Sequence, residues 1–288
     1  ARFYFDKDNR VVLDQKGYGL GMDMPVLVLT RADGTSLYQL RDIAYAMEMT
    51  EKGECIVVLG EDHTLYSEQI NVALLMLEKK PRKAVHYSFV LLEDGKMSTR
   101  KGNIVLLTEF MHEAMKKAND ELVKRYEKAD DSAAKIIGYG ALKYSILKVS
   151  PEKNVVFSWD SAVSFDGETA PYIQYAYARI ASIIRKHESG VPKKADTSLL
   201  IEKEEIELIK KIAAFPEIVE KTGRELRPNV IATYVYELAK QFNEFYHSHR
   251  ILDAEPKVRD ARLQLITAIS QTIKNALLLL GIDVLEKM

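Results

Sequence analysis

The 288-residue sequence predicts an α/β portion built on a parallel sheet, followed by an all-α bundle. Two observations predict this. Over roughly the first hundred residues, short apolar runs rich in β-branched residues alternate with amphipathic helical patterns. From about residue 108 onward, almost every segment has the helical period instead. No apolar run approaches the ~20 residues of a membrane-spanning helix, so the apolar segments are core elements and no membrane partner is expected.

"RFYFDKDNRVVL" (2–13) reads as a strand pair turning at Asp8-Asn9. The sequence starts at Ala1 and runs directly into this pair, which reads as the interior of a longer protein. "PVLVLT" (25–30) is a continuous apolar run, the form expected of a parallel strand covered on both faces. Asp33-Gly34 is a turn signal, and "LYQLRDIAYAMEM" after it reads as a helix. "CIVVLG" (55–60) reads as a second buried strand, with Cys55 as a small buried hydrophobe. "SEQINVALLMLEKK" reads as the next helix and "AVHYSFVLL" (84–92) as a third strand. Strands and helices alternating at this spacing predict βαβ crossovers.

In the helical part, "ATYVYELAKQFNEFYHSHRIL" places Val235, Leu238, Phe242 and Phe245 on one stripe. "RLQLITAISQTIKNALLLLG" does the same with Leu263, Ile266, Ile269, Ile273, Leu277 and Leu280, and Gly281 is its stop. Pro171 suits a first helical turn, and "HESGVPKKADTS" (187–198) reads as a surface loop. The domain division expected from these patterns is 1–128 and 129–288.

Composition narrows the chemistry. Lys plus Arg number 41 against 42 for Asp plus Glu, so any nucleic-acid contact must come from local patches. A lone cysteine excludes an intrachain disulfide and cysteine-based metal clusters. "GKMSTRKGN" (95–103) concentrates Lys96, Arg100 and Lys101 with Ser98 and Thr99 between glycines, beyond a strand end where doubly wound sheets bind ligands. Such a segment suits phosphate oxygens, although by composition alone a solvated basic loop is the more common outcome, and the Walker order is absent. Tyr38 and Asp42, four apart, share a helix face and together suit a guanidinium or ammonium; an ion pair with Arg41 or Lys52 would be the ordinary alternative. "LGEDHTLYSEQ" (59–69) brings Gly60, Glu61, Asp62 and His63 to a strand end, a weak metal pattern that better suits hydrogen bonds to ribose or substrate. His247 and His249 point to different helix faces. Tyr172, Tyr175, Tyr177, Tyr234, Tyr236 and Tyr246 interleave with Arg179, Arg185 and Arg250, a pattern that serves base stacking, although periodicity makes most of these tyrosines part of the core.

Together these stretches resemble a known family. "KMSTRKGN" resembles the KMSKS motif of class I aminoacyl-tRNA synthetases, in the form found in arginyl-tRNA synthetases of the archaeal and eukaryotic type. The similarity continues through "DGTSLYQLRDIAYA", "FSWDSAVSFDGETAPYIQYAYARIASIIRK", "AKQFNEFYHSHRIL" and the terminal "LLLLGIDVLEKM". It implies the second half of a Rossmann-like class I nucleotide fold, an anticodon-binding helical domain, and ATP-dependent charging of tRNA with arginine through arginyl-adenylate. The resemblance implies that Lys96, Met97, Ser98, Thr99, Arg100 and Lys101 form the catalytic loop that steadies the ATP phosphates. It assigns the substrate guanidinium to Tyr38 and Asp42, with Gln69 beside it, and the nucleotide to Gly60, Asp62 and His63 together with Lys96 and Lys101. Anticodon contacts are expected from Tyr246, Arg250 and Met288. The implied partners are arginine, ATP with Mg2+ as its counter-ion, and arginine tRNA, in the cytoplasm. One departure stands out: no H-x-G-H motif occurs, so an N-terminal half carrying it is expected as a further partner.

Overall fold

The computed structural model describes residues 2–92, 106–128 and 130–288. They divide into two compact units, one of Ala1–Phe89 with Pro151–Lys153 and the other of Val90–Ser150 with Asn154–Met288.

In the first unit, β1 (Phe3–Phe5) and β2 (Val11–Asp14) pair antiparallel, as the sequence predicts. The turn between them is closed by Asp6, whose Oδ1 accepts the backbone N–H groups of Asp8 and Arg10 at 3.0 and 2.9 Å. Asn9 takes the left-handed conformation at φ 57°, which its short side chain tolerates. "PVLVLT" departs from expectation: β3 (Val26–Val28) is the third strand of an antiparallel sheet and pairs with β2, Val12 facing Val28. Leu13, Leu27 and Leu29 are buried against Ile43 and Ala46 of α1 (Tyr38–Lys52) and Ile70, Ala73 and Leu74 of α2 (Thr64–Met76). An apolar run is compatible with either strand direction, and here the connection 15–25 carries no crossover helix, so β3 returns antiparallel to β2.

The parallel crossover is formed by β4 (Ile56–Gly60), α2 and β5 (Lys83–Tyr87), with Ile56 opposite Lys83 and Gly60 opposite Tyr87. β4 is less buried than "CIVVLG" suggests. Ile56 and Val58 point out of the sheet, Val58 being 64% exposed, and Cys55 is only half-buried. The predicted third strand is two strands. β5 ends at Tyr87, the Ser88 N–H donates to the Pro151 carbonyl at 2.8 Å, and β6 (Val90–Leu92) belongs to the second unit.

The second unit pairs β6 parallel with β7 (Val155–Phe157), a strand the helical pattern conceals. A helical hairpin of α3 (Leu107–Tyr126) and α4 (Asp131–Leu147) packs closely through Ala118, Leu122, Ala134 and Ile137. Asp130 caps α4 by accepting the Ala133 N–H. The short helix α5 (Trp159–Ala162) follows, and Trp159 lies 4.7 and 4.9 Å from the rings of Phe110 and Phe157.

The main core joins α6 (Ala170–Lys186), α7 (Lys203–Ala213), α8 (Phe215–Glu225), α9 (Asn229–Ser248) and α10 (Pro256–Leu279). Thr169 caps α6, and Pro171 occupies its first turn. Both predicted stripes are buried, from Val235 to Phe245 on α9 and from Leu263 to Leu280 at the end of α10. Gly281 at φ 68° ends α10, with its N–H bonded to Leu278 O and that of Ile282 to Leu277 O, both at 2.9 Å. Glu205, fully buried, accepts from Arg262 Nε at 2.7 Å, while Arg262 Nη1 donates to the Arg250 carbonyl at 2.7 Å. Among the described residues, no helix is long and apolar enough to cross a membrane.

One glycine sets the hairpin spacing. A Cβ on Gly138 would lie 2.6 Å from the backbone oxygen of Ala114. Alanine is the better helix former by about 1 kcal/mol, yet overpacking against backbone costs roughly 1–3 kcal/mol. Gly138→Ala is therefore expected to lower the urea midpoint of the helical unit, and an unchanged or higher midpoint would show that the hairpin can open at no cost.

Candidate functional site

α1 starts at Tyr38, so Tyr38 and Asp42 lie one turn apart on the helix. Their surroundings come from residues distant in sequence. Tyr66 of α2 donates its hydroxyl to Asp42 Oδ2 at 2.6 Å, and its ring lies 5.1 Å from that of Tyr38. Arg82, between α2 and β5, places Nη1 at 3.0 Å from Asp42 Oδ1 and 3.2 Å from Oδ2. The partner of Asp42 is thus Arg82, and neither Arg41 nor Lys52. The Arg82 backbone is clamped to α2 by Asn71, which accepts its N–H and donates to its carbonyl, each at 3.0 Å.

The electrostatics follow from burial. The Arg82 side chain is 4% exposed, and a guanidinium taken out of water needs a paired anion. The Asp42 side chain stays 25% exposed, so it is not sealed from solvent. Burial, reinforced by the hydrogen bond to Asp42, pushes the Tyr66 hydroxyl well above its ordinary value. Tyr66 therefore remains protonated and acts as a donor. Tyr38, 55% exposed, forms an open aromatic wall beside the pair.

At the end of β4, Gly60 meets the single-turn helix Glu61–His63. A Cβ on Gly60 would come within 2.6 Å of Asp62 Oδ1, so this approach requires glycine or a shift of the Asp62 side chain. Asp62 Oδ1 and His63 Nδ1 are 3.0 Å apart at the surface, and the His63 ring lies 6.1 Å from Tyr66, edge-on. Glu61 Oε2 accepts from Ser88 Oγ at 2.7 Å, joining the ends of β4 and β5. Gln69 points elsewhere. It is buried, and its Nε2 donates to the Val26 carbonyl at 3.1 Å on the antiparallel sheet. Lys96, Met97, Ser98, Thr99, Arg100 and Lys101 lie outside the described residues.

A second concavity lies in the helical unit. A cavity of about 440 Å³ is lined by Tyr126, Tyr175, Arg179, Arg185, Tyr246 and Met288, among others. The Arg179 guanidinium lies 4.7 Å from the ring of Tyr175 and 4.9 Å from that of Tyr246, and Nη1 donates to Asn243 Oδ1 at 2.7 Å. Arg185 Nη1 donates to the Glu286 carbonyl at 2.9 Å, tying the last residues to α6. Two of the three residues expected to contact tRNA, Tyr246 and Met288, therefore share this cavity. Arg250 does not line it; its side chain is exposed and its carbonyl is held by Arg262.

Residues 2–159 match the family described as tRNA synthetases class I (R), catalytic domain. The chain belongs to the class I arginyl-tRNA synthetase family. Residues 173–288 match the DALR anticodon binding domain. An arginine–tRNA ligase of Methanocella arvoryzae is 42% identical over all of this chain and 51% of its own length. One from Clostridium perfringens is 40% identical over 92% of the chain and 49% of its own length. The chain thus spans about half the length of the curated relatives it matches. The solved Thermus thermophilus arginyl-tRNA synthetase superposes with a TM-score of 0.86 at 28% identity, over 97% of this chain and 54% of that one.

Sequence reasoning missed Tyr66 and Arg82 at the first site, and Tyr126 and Lys287 at the second. Tyr66 stood within the quoted "LGEDHTLYSEQ", but its partner Asp42 is 24 residues away in sequence. Removing the Tyr66 hydroxyl takes one donor from a charged acceptor. Tyr66→Phe is expected to cost about 1–3 kcal/mol in urea unfolding of the first unit, whereas a wild-type midpoint would mean that water replaces the phenol without loss.

Proposed function

We propose that this chain is the arginine-recognising, phosphate-steadying and anticodon-binding portion of an arginine–tRNA ligase. The observation that carries the reading is Asp42, a partly open carboxylate that already binds one guanidinium and one phenol at the ligand edge of the α/β unit. Arginine would bring its own guanidinium to the open edge of Asp42, against the ring of Tyr38. Gln69, the further residue assigned to arginine, would act indirectly, its amide tying α2 to β3. ATP would lie by Gly60, Asp62 and His63 at the end of β4.

In the activation step, the arginine carboxylate attacks the α-phosphorus of ATP. Arginyl-adenylate forms and pyrophosphate leaves. Lys96, Arg100 and Lys101, with Met97, Ser98 and Thr99 between them, are assigned to the developing charge on the phosphates, where fixed cations lower the barrier. Mg2+ would arrive as the counter-ion of ATP. Among the described residues, no group of three or more His, Cys, Asp or Glu offers it a seat, so no step is assigned to it. The arginyl group then passes from the adenylate to a hydroxyl of its tRNA, and AMP leaves. Functionally the chain divides at 128/129 into catalytic and anticodon-binding parts. The catalytic part requires the portion of the enzyme corresponding to the half of its relatives that this chain does not span, and the cytoplasm is the natural compartment for the reaction.

The tRNA assignment rests on the helical cavity. Its stacked Tyr175–Arg179–Tyr246 column offers an aromatic face and a cation, the combination that receives an unstacked base. Met288 closes one side, and Arg250 is available for a phosphate nearby.

Two measurements test the proposal. In the full-length enzyme, Asp42→Asn should weaken kcat/KM for arginine by an amount worth roughly 2–5 kcal/mol, with the KM for ATP unchanged; wild-type arginine kinetics would overturn the assignment. For the helical unit, fluorescence anisotropy over a salt series should show this chain preferring arginine tRNA to lysine tRNA. Tyr246→Ala should remove that preference at a cost of about 1–3 kcal/mol. Equal, steeply salt-dependent binding of both tRNAs by the unmodified chain would mean that only phosphates are contacted.

A further inference from the structure

We infer that Arg82 is a positioning residue for arginine recognition, a resident guanidinium that fixes the Asp42 carboxylate so that a single acceptor site, on Oδ1, faces the incoming substrate. The inference rests on the assignment of Asp42 to the substrate guanidinium and extends it to a residue that never touches the substrate.

The argument starts from lone pairs. A carboxylate offers about four acceptor sites, two on each oxygen. Oδ2 accepts the Tyr66 hydroxyl at 2.6 Å and shares Arg82 Nη1 at 3.2 Å. Oδ1 accepts Arg82 Nη1 at 3.0 Å and nothing else among the described residues. The second site on Oδ1 is therefore the one left without a partner among the described residues, on a side chain that is still 25% exposed. Without Arg82, only the Tyr66 bond would restrain the carboxylate, which could then rotate about its terminal torsion, a broad and soft one.

Arg82 is itself held independently of Asp42. Its backbone N–H and carbonyl are both bonded to the Asn71 side chain on α2, and its side chain is 4% exposed. It meets Asp42 through Nη1 alone. Nε and Nη2, the parallel edge that usually makes the two-point bond to a carboxylate, are buried with no partner in the described structure. A pair optimised for stability would present that edge. Presenting Nη1 to both oxygens centres the cation on the carboxylate and leaves the outward side of Oδ1 clear. The arrangement forgoes hydrogen bonds to set a direction, which is the mark of a positioning group at a binding site.

The test is a double-mutant cycle in the full-length enzyme, with Arg82→Met, Asp42→Asn and the combined variant. Arg82→Met is expected to raise the KM for arginine roughly ten- to a hundredfold while leaving the KM for ATP unchanged, a split that general destabilisation would not produce. If Arg82 acts only through Asp42, the combined variant should be no worse than Asp42→Asn alone. Wild-type arginine KM in Arg82→Met, or losses that multiply in the combined variant, would overturn the inference. Should Arg82→Met not fold, Arg82→Lys keeps the charge and decides by the same kinetics: a raised arginine KM supports positioning and a wild-type one refutes it. If Asp42→Asn itself leaves arginine KM unchanged, the underlying site assignment fails. A normal Asp42→Asn defect with a silent Arg82 variant overturns this inference alone.

Discussion

A guanidinium enclosed between helix and strand must be matched by an anion, and in the α/β unit that requirement fixes much of the rest. Among the described residues the Arg82 guanidinium has no side-chain acceptor but Asp42, so the second turn of α1 must face the segment that leads from α2 into β5. Losing one partner of such a pair typically costs roughly 3–5 kcal/mol, a large share of the stability of a small unit. The pairing therefore holds α1 against the crossover, and α1 in turn covers the antiparallel sheet through Ile43 and Ala46. On the proposed reading, recognition and fold maintenance share one carboxylate, and the bonds from Arg82 and Tyr66 orient an acid that is still 25% exposed.

The helical unit solves a similar problem with different residues. Glu205 is fully buried at the start of α7, where it bonds the Glu202 N–H and Arg262 Nε. Arg262 reaches on to the Arg250 carbonyl beyond α9. Three segments far apart in sequence are thus fixed at one point. Elsewhere along α9, Arg179 sits between two tyrosine rings and is held by Asn243. One arginine is largely buried and the other borders a cavity, although both are anchored to the same helix and its continuation.

Elements whose signals are local could be read from sequence: the Asp8-Asn9 turn, the buried stripes of α9 and α10, and the stop at Gly281. Direction and pairing could not. "PVLVLT" carries the composition of a parallel strand but returns antiparallel to β2, because an apolar run records burial and not partner. "AVHYSFVLL" hides a break at Ser88, whose N–H leaves the ladder for Pro151. The candidate site divides the same way. Tyr38 and Asp42 are one helical turn apart, so their proximity follows from period alone. Tyr66 and Arg82 reach Asp42 across 24 and 40 residues, through packing that no single-sequence pattern encodes.

The packing of Trp159 has a practical optical consequence. It is the sole tryptophan of the sequence, and it lies in the helical unit between Phe110 and Phe157. Indole emission therefore follows events around α3 and β7, while the α/β unit holds no tryptophan. A fluorescence melt recorded at indole wavelengths would describe one unit and pass over the loosening of the other, so agreement between indole emission and far-ultraviolet dichroism becomes a direct measure of whether the two units unfold together.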